Sequence, residues 1–272
     1  MEPFYVRKRY STGAQVKEIQ TGGLRLDIPS GSSRRVRLAQ VDDYAGLRRK
    51  AYPWSPPVDL SLRARAVSAD VPGTWGFGFW NAPGKFSLGL GRTDPLPALP
   101  QAAWFFYAPR ASHLTFRDDL PGRGFLAQTF RSTDQPIRKL LPVLFGLPLF
   151  AITPVARRLR TYLSRRVIHE SGSAPAGIDV TGEHEYRLVW GRDSVDFRID
   201  GDLVHTTRVS PASPLALVIW IDNQFAAFTP EGRLRYGLHG CPEPQWLEIK
   251  AAAINARSLE FASAGYNSEH GS

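Results

Sequence analysis

Residues 185–204 read EYRLVWGRDSVDFRIDGDLV, and this stretch decides the fold class. Apolar and polar side chains alternate over Glu185–Trp190 and again over Val195–Ile199, which is the period of a half-buried β-strand. Asp200 and Gly201 follow as a two-residue hairpin signal, because a tight turn of this kind needs positive φ at both positions. The stretch therefore predicts antiparallel strands joined by tight turns.

Similar patterns recur along most of the chain. Residues 58–66 alternate strictly, and apolar runs predict further buried strands at 75–81, 101–108, 124–131, 214–222 and 245–254. Many strands separated by turn signals predict an all-β sandwich of two antiparallel sheets. We expect one domain at 35–258, a loosely ordered arm at 1–34 and a disordered tail at 259–272.

The 185–204 run resembles a signature of glycoside hydrolase family 16, the laminarinase-type group of the concanavalin A-like lectin/glucanase superfamily. In that family a Tyr-x-x-x-Trp strand, a short turn and a strand ending in Asp-Gly occur in this order. Trp75–Trp80 is similar to the family's aromatic strand, and Trp246–Ile249 is similar to its final strand. The resemblance covers about residues 58–254, with a partly helical insertion at 134–172. It implies a jelly roll of two curved sheets with the ligand site on the concave face.

The departure from the family concerns its catalytic strand, which carries the pattern Glu-x-Asp-x-x-Glu. In the family that spacing places two carboxyl groups about 5–5.5 Å apart for a retaining mechanism. The corresponding strand here, Gln101–Ala108, contains no acid. Glycosidase activity by that mechanism is not expected, and whether the chain is an enzyme stays open.

The two-residue period selects the first candidate site residues. Trp220, Asp222 and Gln224 share one face of their strand, and Ile219 and Ile221 share the other. If the isoleucines face the core, the Trp-Asp-Gln set faces a ligand, and a carboxylate in an apolar site can act as general acid. The alternative is a strand-end Asp222 that accepts hydrogen bonds from loop amides.

A second set lies on the aromatic strand. Trp75, Phe77, Phe79 and Asn81 share a face opposite Trp80, and one of the two faces must be core. We predict that the larger set binds ligand by stacking its rings on it. Simple core packing is the competing interpretation.

Three further residues complete the candidate set. Trp104 and Tyr107 fall on opposite faces of their strand. Trp104 is predicted to contact ligand, and Tyr107 is predicted to be a hydrogen-bond donor or weak acid with a catalytic role. Arg131 is predicted to pair with an anionic group of the ligand. Neither a metal nor another cofactor is predicted, because no metal-ligand spacing is present.

Charge and cysteine content limit the partners. A net charge of +9 favours anionic partners, but no RRM, KH, zinc-finger or helix-turn-helix pattern is present, so nucleic acid is not an expected partner. The lone Cys241 supports no disulfide framework. Residues 1–13 show no apolar signal-peptide core, so we expect a cytoplasmic protein, at most peripheral to the inner membrane.

Leu140–Ala156 contains no charged residue and is flanked by basic residues on both sides. Prolines at 142, 148 and 154 exclude one regular helix, whereas residues 157–168 are predicted to be helical and basic. The apolar segment has three interpretations: a buried insert, a lid over the ligand site, or an interfacial loop whose flanking arginines contact anionic head groups within 138–166.

Two main functions follow from the sequence. The first is a glycan- or glycoside-binding sandwich without the hydrolase carboxylates. The alternative is an intracellular cyclase, isomerase or binding protein for an apolar small molecule or lipid, which is enclosed by residues 140–156 and has Asp222 as general acid. A third is an interaction module without chemistry.

Overall fold

The computed structural model describes residues 4–11, 13–19, 22–82, 98–133, 153–255 and 257–261. Within these ranges the chain is built of strands, with one α-helix, α1 (Thr153–Arg166), and a 3-10 turn at Arg49–Ala51. The strands are β1 (Phe4–Tyr10), β2 (Gln15–Glu18), β3 (Gly23–Ile28), β4 (Leu38–Asp42), β5 (Val58–Ala66), β6 (Trp75–Trp80), β7 (Ala102–Ala108), β8 (Gly124–Ser132), β9 (Ile168–Ser173), β10 (His184–Trp190), β11 (Val195–Ile199), β12 (Asp202–Thr207), β13 (Ala216–Asp222), β14 (Gln224–Phe228), β15 (Leu234–Leu238), β16 (Gln245–Ile254) and β17 (Arg257–Phe261).

The strands form two antiparallel sheets that pack face to face. The front sheet has the order β4-β13-β6-β7-β8-β9, and the back sheet runs β2-β3-β16-β5-β10-β11-β12. β1 and β17 pair in parallel and join the two sheets, because β1 also pairs with β4 and β17 also pairs with β16. A separate hairpin is formed by β14 and β15. This arrangement confirms the predicted all-β jelly-roll sandwich.

The predicted Asp-Gly turn joins β11 to β12. Asp200 has φ 52° and Gly201 has φ 88°, so both residues adopt the left-handed conformation that a two-residue hairpin requires. The flanking strands pair antiparallel from Ile199 with Asp202 onward. Local sequence therefore fixes the turn and the two residue pairs that follow it, and the register shifts between Arg198 and Phe197.

The core lies between the sheets and is rich in aromatic rings. Phe77 contacts Tyr186 with ring centroids 5.1 Å apart, and Phe79 contacts Trp190 at 5.7 Å. Each pair joins a front-sheet strand to a back-sheet strand, and all four rings are at most 1% exposed. Aromatic pairs of this kind add specific geometry to the burial of large apolar surfaces.

The N-terminal residues belong to the sheets, which corrects the predicted loose arm at 1–34. Leu24, Leu26 and Ile28 alternate with more exposed residues along β3 and are 0–2% exposed in the core. The surrounding Gly- and Ser-rich stretches hide this six-residue strand from a composition-based reading. At the other end, β17 overlaps the predicted tail, and residues 262–272 lie outside the described part of the chain.

The predicted insertion at 134–172 is shorter than expected. β9 pairs with β8 from Ile168 onward and extends the front sheet. α1 confirms the predicted basic helix and begins four residues earlier than expected. Residues 140–152 of the apolar segment fall outside the described ranges, so its three interpretations stay predictions. Among the helical residues that the structure describes, no stretch is long and apolar enough to cross a membrane.

Replacing Leu26 tests whether the N-terminal strands are an integral part of the core. We expect Leu26→Ala to lower the free energy of unfolding by about 2–5 kcal/mol, because it leaves a cavity between the sheets. Urea denaturation followed by tryptophan fluorescence measures the change. Gln15→Ala on the exposed side of β2 is the matched control and should stay within about 0.5 kcal/mol of the unmodified protein. If Leu26→Ala left the free energy of unfolding unchanged, the N-terminal strands would not be packed in solution.

Candidate functional site

The front face is the surface of the front sheet that points away from the core. On β13, Ile219 and Ile221 are fully buried in the core, so Trp220 and Asp222 point to the front face. The isoleucines thus face the core, as the prediction for Trp220 and Asp222 required. On β7, Trp104 likewise lies on the front face and Tyr107 on the core side.

On the aromatic strand β6 the structure corrects the predicted ligand set. Trp75, Phe77 and Phe79 are 0–1% exposed and pack in the core between the sheets. They face the back sheet and do not reach the front face, which receives Trp80 instead. The competing core interpretation is therefore the observed one.

Asn81 holds the two ends of neighbouring strands together. Its Nδ2 donates to the Leu99 carbonyl at 2.8 Å, and its Oδ1 accepts from the Gln101 amide at 3.1 Å. The side chain is 7% exposed. These bonds assign it a structural role where β6 ends and β7 begins, in place of the predicted ligand contact.

Three partly exposed indoles converge on the front face. Trp80 and Trp220 are nearly parallel, at 7°, with ring centroids 6.4 Å apart. Trp104 completes the cluster at 6.1 Å from Trp80 and 5.5 Å from Trp220. Trp80 is the member that the sequence interpretation assigned to no ligand. The sequence did contain a pattern that indicates an exposed role for Trp80, because its own face of β6 otherwise carries only Gly76 and Gly78.

Those two glycines make room for the cluster, which we call the tryptophan cluster (Trp80, Trp104 and Trp220). A Cβ added at Gly76 would lie 2.8 Å from Cη2 of Trp220 and 2.6 Å from the Phe105 carbonyl oxygen. A Cβ at Gly78, where φ is 150°, would lie 2.6 Å from the Trp104 Cα. The indoles therefore lie over a strip of β6 that only glycine allows.

Several polar atoms around the tryptophan cluster lack a partner. Nε1 of Trp80, Nε1 of Trp104 and Oε1 of Gln128 are buried and form no hydrogen bond with the described residues. Gln128 lies directly opposite Trp104 in the pairing of β7 with β8. Since buried polar groups are usually paired, and an unpaired one costs about 1–3 kcal/mol, these atoms mark a place suited to additional hydrogen-bonding groups.

Glu170 is a front-face residue that the sequence interpretation missed. Its Oε1 accepts from Gln128 Nε2 at 2.6 Å, and its Oε2 accepts from the Phe116 amide at 2.8 Å. Burial raises the pKa of this carboxyl above its usual value, although the hydrogen bonds oppose the shift. The residue was missed because it fell within the predicted insertion, where no strand face was assigned.

Both carboxylate oxygens of Asp222 accept hydrogen bonds, from Thr74 before β6 and from Gln224 after β13. Its Oδ1 accepts from the amide and hydroxyl of Thr74, both at 3.0 Å, and from the Gln224 amide at 2.9 Å. Its Oδ2 accepts from Gln224 Nε2 at 3.2 Å. Burial raises the pKa of the carboxyl to about 6 in spite of these bonds. The geometry corresponds to the loop-amide interpretation, and it accounts for Gln224 as a partner of Asp222.

The same network orients one indole of the cluster. Nε1 of Trp220 donates to the Thr74 hydroxyl at 2.9 Å, and that hydroxyl in turn donates to Asp222. The buried Asp222 carboxylate thus orients the Thr74 hydroxyl, and this hydroxyl orients the Trp220 ring. Asp222 positions Trp220 in this arrangement.

The front-face carboxylates of the described strands are far apart. Asp42 on β4 is paired with Arg9 at 2.8 Å and lies four residues from the Asp222 register position, or about 13 Å along the strand direction. Glu170 on β9 is separated from Asp222 on β13 by four strand spacings, about 19 Å. Neither separation matches the roughly 5–5.5 Å of a retaining pair or the roughly 6.5–9.5 Å of an inverting pair.

Tyr107 and Arg131 do not join the front face. Tyr107 stacks on Trp75 with centroids 5.9 Å apart, and its hydroxyl donates to Asp70 Oδ1 at 3.3 Å. Burial raises its pKa to about 12. Arg131 is exposed near the end of β8, on the opposite side of that strand from Gln128. Their placement corrects both predicted roles at the ligand face.

Known proteins that are similar to this chain are found among solved structures. No protein-family model matches the chain, and no curated protein matches it. Among solved structures it is similar to a Bacillus licheniformis β-glucanase, with 13% identity, 89% of each chain covered and a TM-score of 0.44. A glycoside hydrolase family protein from Mycobacterium thermorestibile has 11% identity, covers 88% of this chain and 79% of its own, and has a TM-score of 0.47.

A third similar structure is a legume lectin-like domain from Entamoeba histolytica, with 11% identity, 92% and 89% coverage and a TM-score of 0.45. At these identities the resemblance assigns no site residue. The described residues contain no group of three His, Cys, Asp or Glu side chains arranged to hold a metal ion.

The raised pKa of Asp222 predicts a pH-dependent contribution to stability. Its carboxyl binds a proton more tightly in the folded state, with a pKa of about 6, than at its ordinary value of 3.8. The contribution is therefore greatest below about pH 4 and is lost as the pH rises through about 6. Relative to Asp222→Asn, we expect the unmodified protein to lose up to about 3 kcal/mol between pH 4 and pH 7.

Urea unfolding of both proteins at pH 4, 5, 6 and 7 measures this difference. Other titrating groups are present in both proteins and cancel in the comparison, provided that the substitution leaves their surroundings unchanged. Parallel stability curves for the two proteins would contradict the assigned burial of the Asp222 carboxylate.

Proposed function

We propose that this chain is a glycan- or glycoside-binding protein that holds its ligand on the front face, at the tryptophan cluster. The observation that carries the proposal is the convergence of three partly exposed indoles on one face of the sheet. A flat indole packs well against the apolar C–H face of a sugar ring. Ligand sites typically combine such aromatic surface with a few polar groups that fix orientation.

The unpartnered polar atoms supply the second half of that combination. Trp80 and Trp104 each offer an indole N–H donor, and Gln128 offers a carbonyl acceptor. Hydroxyl groups both donate and accept, so a polyhydroxylated ring suits this set. These atoms are buried, so the proposal requires the indoles to turn as ligand enters. New hydrogen bonds would offset about 1–3 kcal/mol for each atom that they satisfy.

The proposed activity is glycan binding without hydrolysis by the mechanism of glycoside hydrolase family 16. Asp42, Asp222 and Glu170 are held by protein partners, and their positions on the front sheet are too far apart for a catalytic pair. The resemblance aligns β7 with the family's catalytic strand, and β7 carries Ala, Trp, Phe and Tyr only. Front-face side chains therefore support recognition better than bond cleavage.

Replacing Trp220 tests the proposed glycan site. A glycan array that includes β-glucan oligosaccharides identifies a bound sugar, and isothermal titration calorimetry with that sugar gives Kd. We expect Trp220→Ala to weaken binding at least tenfold, because it removes one of the three rings of the cluster, and each ring contacts the other two. Trp246→Ala is the matched control, since Trp246 is half-buried on the opposite surface of the protein between Arg25 and Arg65.

The control should bind within about twofold of the unmodified protein, and circular dichroism should show both variants folded. Equal loss in the two tryptophan variants, or an array without any bound glycan, would overturn the proposal.

An apolar small molecule or lipid is the second candidate ligand. An apolar cluster on the front face favours such a ligand. It consists of Phe106, Ala108 and Leu126 and lies beside Trp104 and Trp220. The accompanying role of Asp222 as general acid has less support, since both carboxylate oxygens accept protein hydrogen bonds. Mass spectrometry of an organic extract of the purified protein separates the candidates. A stoichiometric lipid or pigment, together with no glycan binding, would favour the second.

A further inference from the structure

Helix α1 is held in a fixed orientation by one buried arginine. Arg160 is 3% exposed, and its Nε donates to the Phe228 carbonyl while its Nη2 donates to the Thr115 carbonyl, both at 3.0 Å. Its guanidinium also pairs with Asp118. The helix is thereby tied to the 113–118 loop and to the end of β14, so it cannot rotate about its axis without breaking these bonds.

The apolar side of α1 strengthens this anchoring. Ala156 and Leu163 are 1% and 3% exposed, and Leu163 packs with Phe130 and Ile168 at the β8–β9 edge of the front sheet. Arg160 and these apolar residues therefore define the inward side of the helix. The remaining side is presented to solvent.

That outward side carries two rows of exposed residues at helical spacing. One row is Arg157, Thr161 and Arg165, and the neighbouring row is Arg158, Tyr162 and Arg166. Tyr162 is 53% exposed and lies between two arginines of its row. We call this surface the α1 arginine face.

Within the part of the chain that the structure describes, no acidic side chain pairs with the arginines of the α1 arginine face. The helix contains no acidic residue, and none of the arginines at 157, 158, 165 and 166 forms an ion pair with a described residue. By contrast, most basic side chains of the back sheet's outer surface are paired, as Arg65 is with Glu248 at 2.6 Å. Four exposed arginines without an ion pair to a described residue therefore lie together on one helix face.

We propose that the α1 arginine face docks on an anionic lipid surface. Four unpaired guanidinium groups on one face complement a layer of negatively charged head groups, and each basic side chain near such a surface strengthens partitioning by about fivefold. Tyr162 and Val155, which is 38% exposed, add an amphipathic ring and an apolar side chain on the exposed helix. These two side chains favour a lipid interface over a soluble polyanion.

Vesicle flotation tests the proposal with the full chain. The probes are phosphatidylcholine vesicles with and without about 30% phosphatidylserine, at about 50 mM and 300 mM salt. We expect the protein to float with the anionic vesicles only, and less at high salt. The variant Arg157→Gln/Arg158→Gln/Arg165→Gln/Arg166→Gln should lower the vesicle-bound to free ratio at least tenfold.

A charge-matched control separates the surface from the net charge. Arg34→Gln/Arg35→Gln/Arg192→Gln/Arg208→Gln removes four exposed arginines outside α1 and should lower the ratio no more than twofold. Equal loss in both variants, flotation that is unaffected by the α1 variant, or absence of flotation by the unmodified protein would each overturn the proposal. Retention on heparin without flotation would assign the face to a soluble polyanion instead. Circular dichroism checks that both variants are folded.

Discussion

The aromatic layer between the two sheets is the packing constraint on which the rest of the structure depends. Phe77 and Phe79 must meet Tyr186 and Trp190 of the back sheet to fill the core. Because successive side chains of a strand point to opposite faces, the packing of Phe77 and Phe79 in the core places two glycines and Trp80 of β6 on the front face. The position of the tryptophan cluster thus follows from how the core is filled.

Polar side chains at the strand ends orient an aromatic ring of the front face. Thr74 and Asp222 meet where β6 begins and β13 ends, and together they orient Trp220. The carboxylate is buried to do this, so part of the stability that packing provides is used to hold one ring in place. An acid in an apolar strand is, in this protein, a means of fixing an aromatic surface.

Regular alternation made the fold accessible from the sequence. β5, β10, β11 and the Asp200-Gly201 turn are local patterns, and the structure has them where they are expected. The face of β6 was assigned incorrectly because alternation gives two faces and does not say which one meets the other sheet. Glu170 and the N-terminal strands escaped notice because their patterns are short and their pairing partners are distant in sequence. The environment of Asp222 depends on Thr74, about 150 residues away, which no local pattern indicates.

The parallel pairing of β1 with β17 has a consequence for how the molecule is made. Phe4 lies beside Leu259, so the strands that join the two sheets are about 250 residues apart in sequence. Closing so long a loop is slow compared with forming local hairpins. During synthesis by a ribosome, the edge of β4 that pairs with β1 is complete long before β17 exists. Assembly of the sandwich is therefore a late event, and the unjoined sheet edges are the surfaces that a chaperone would need to shield.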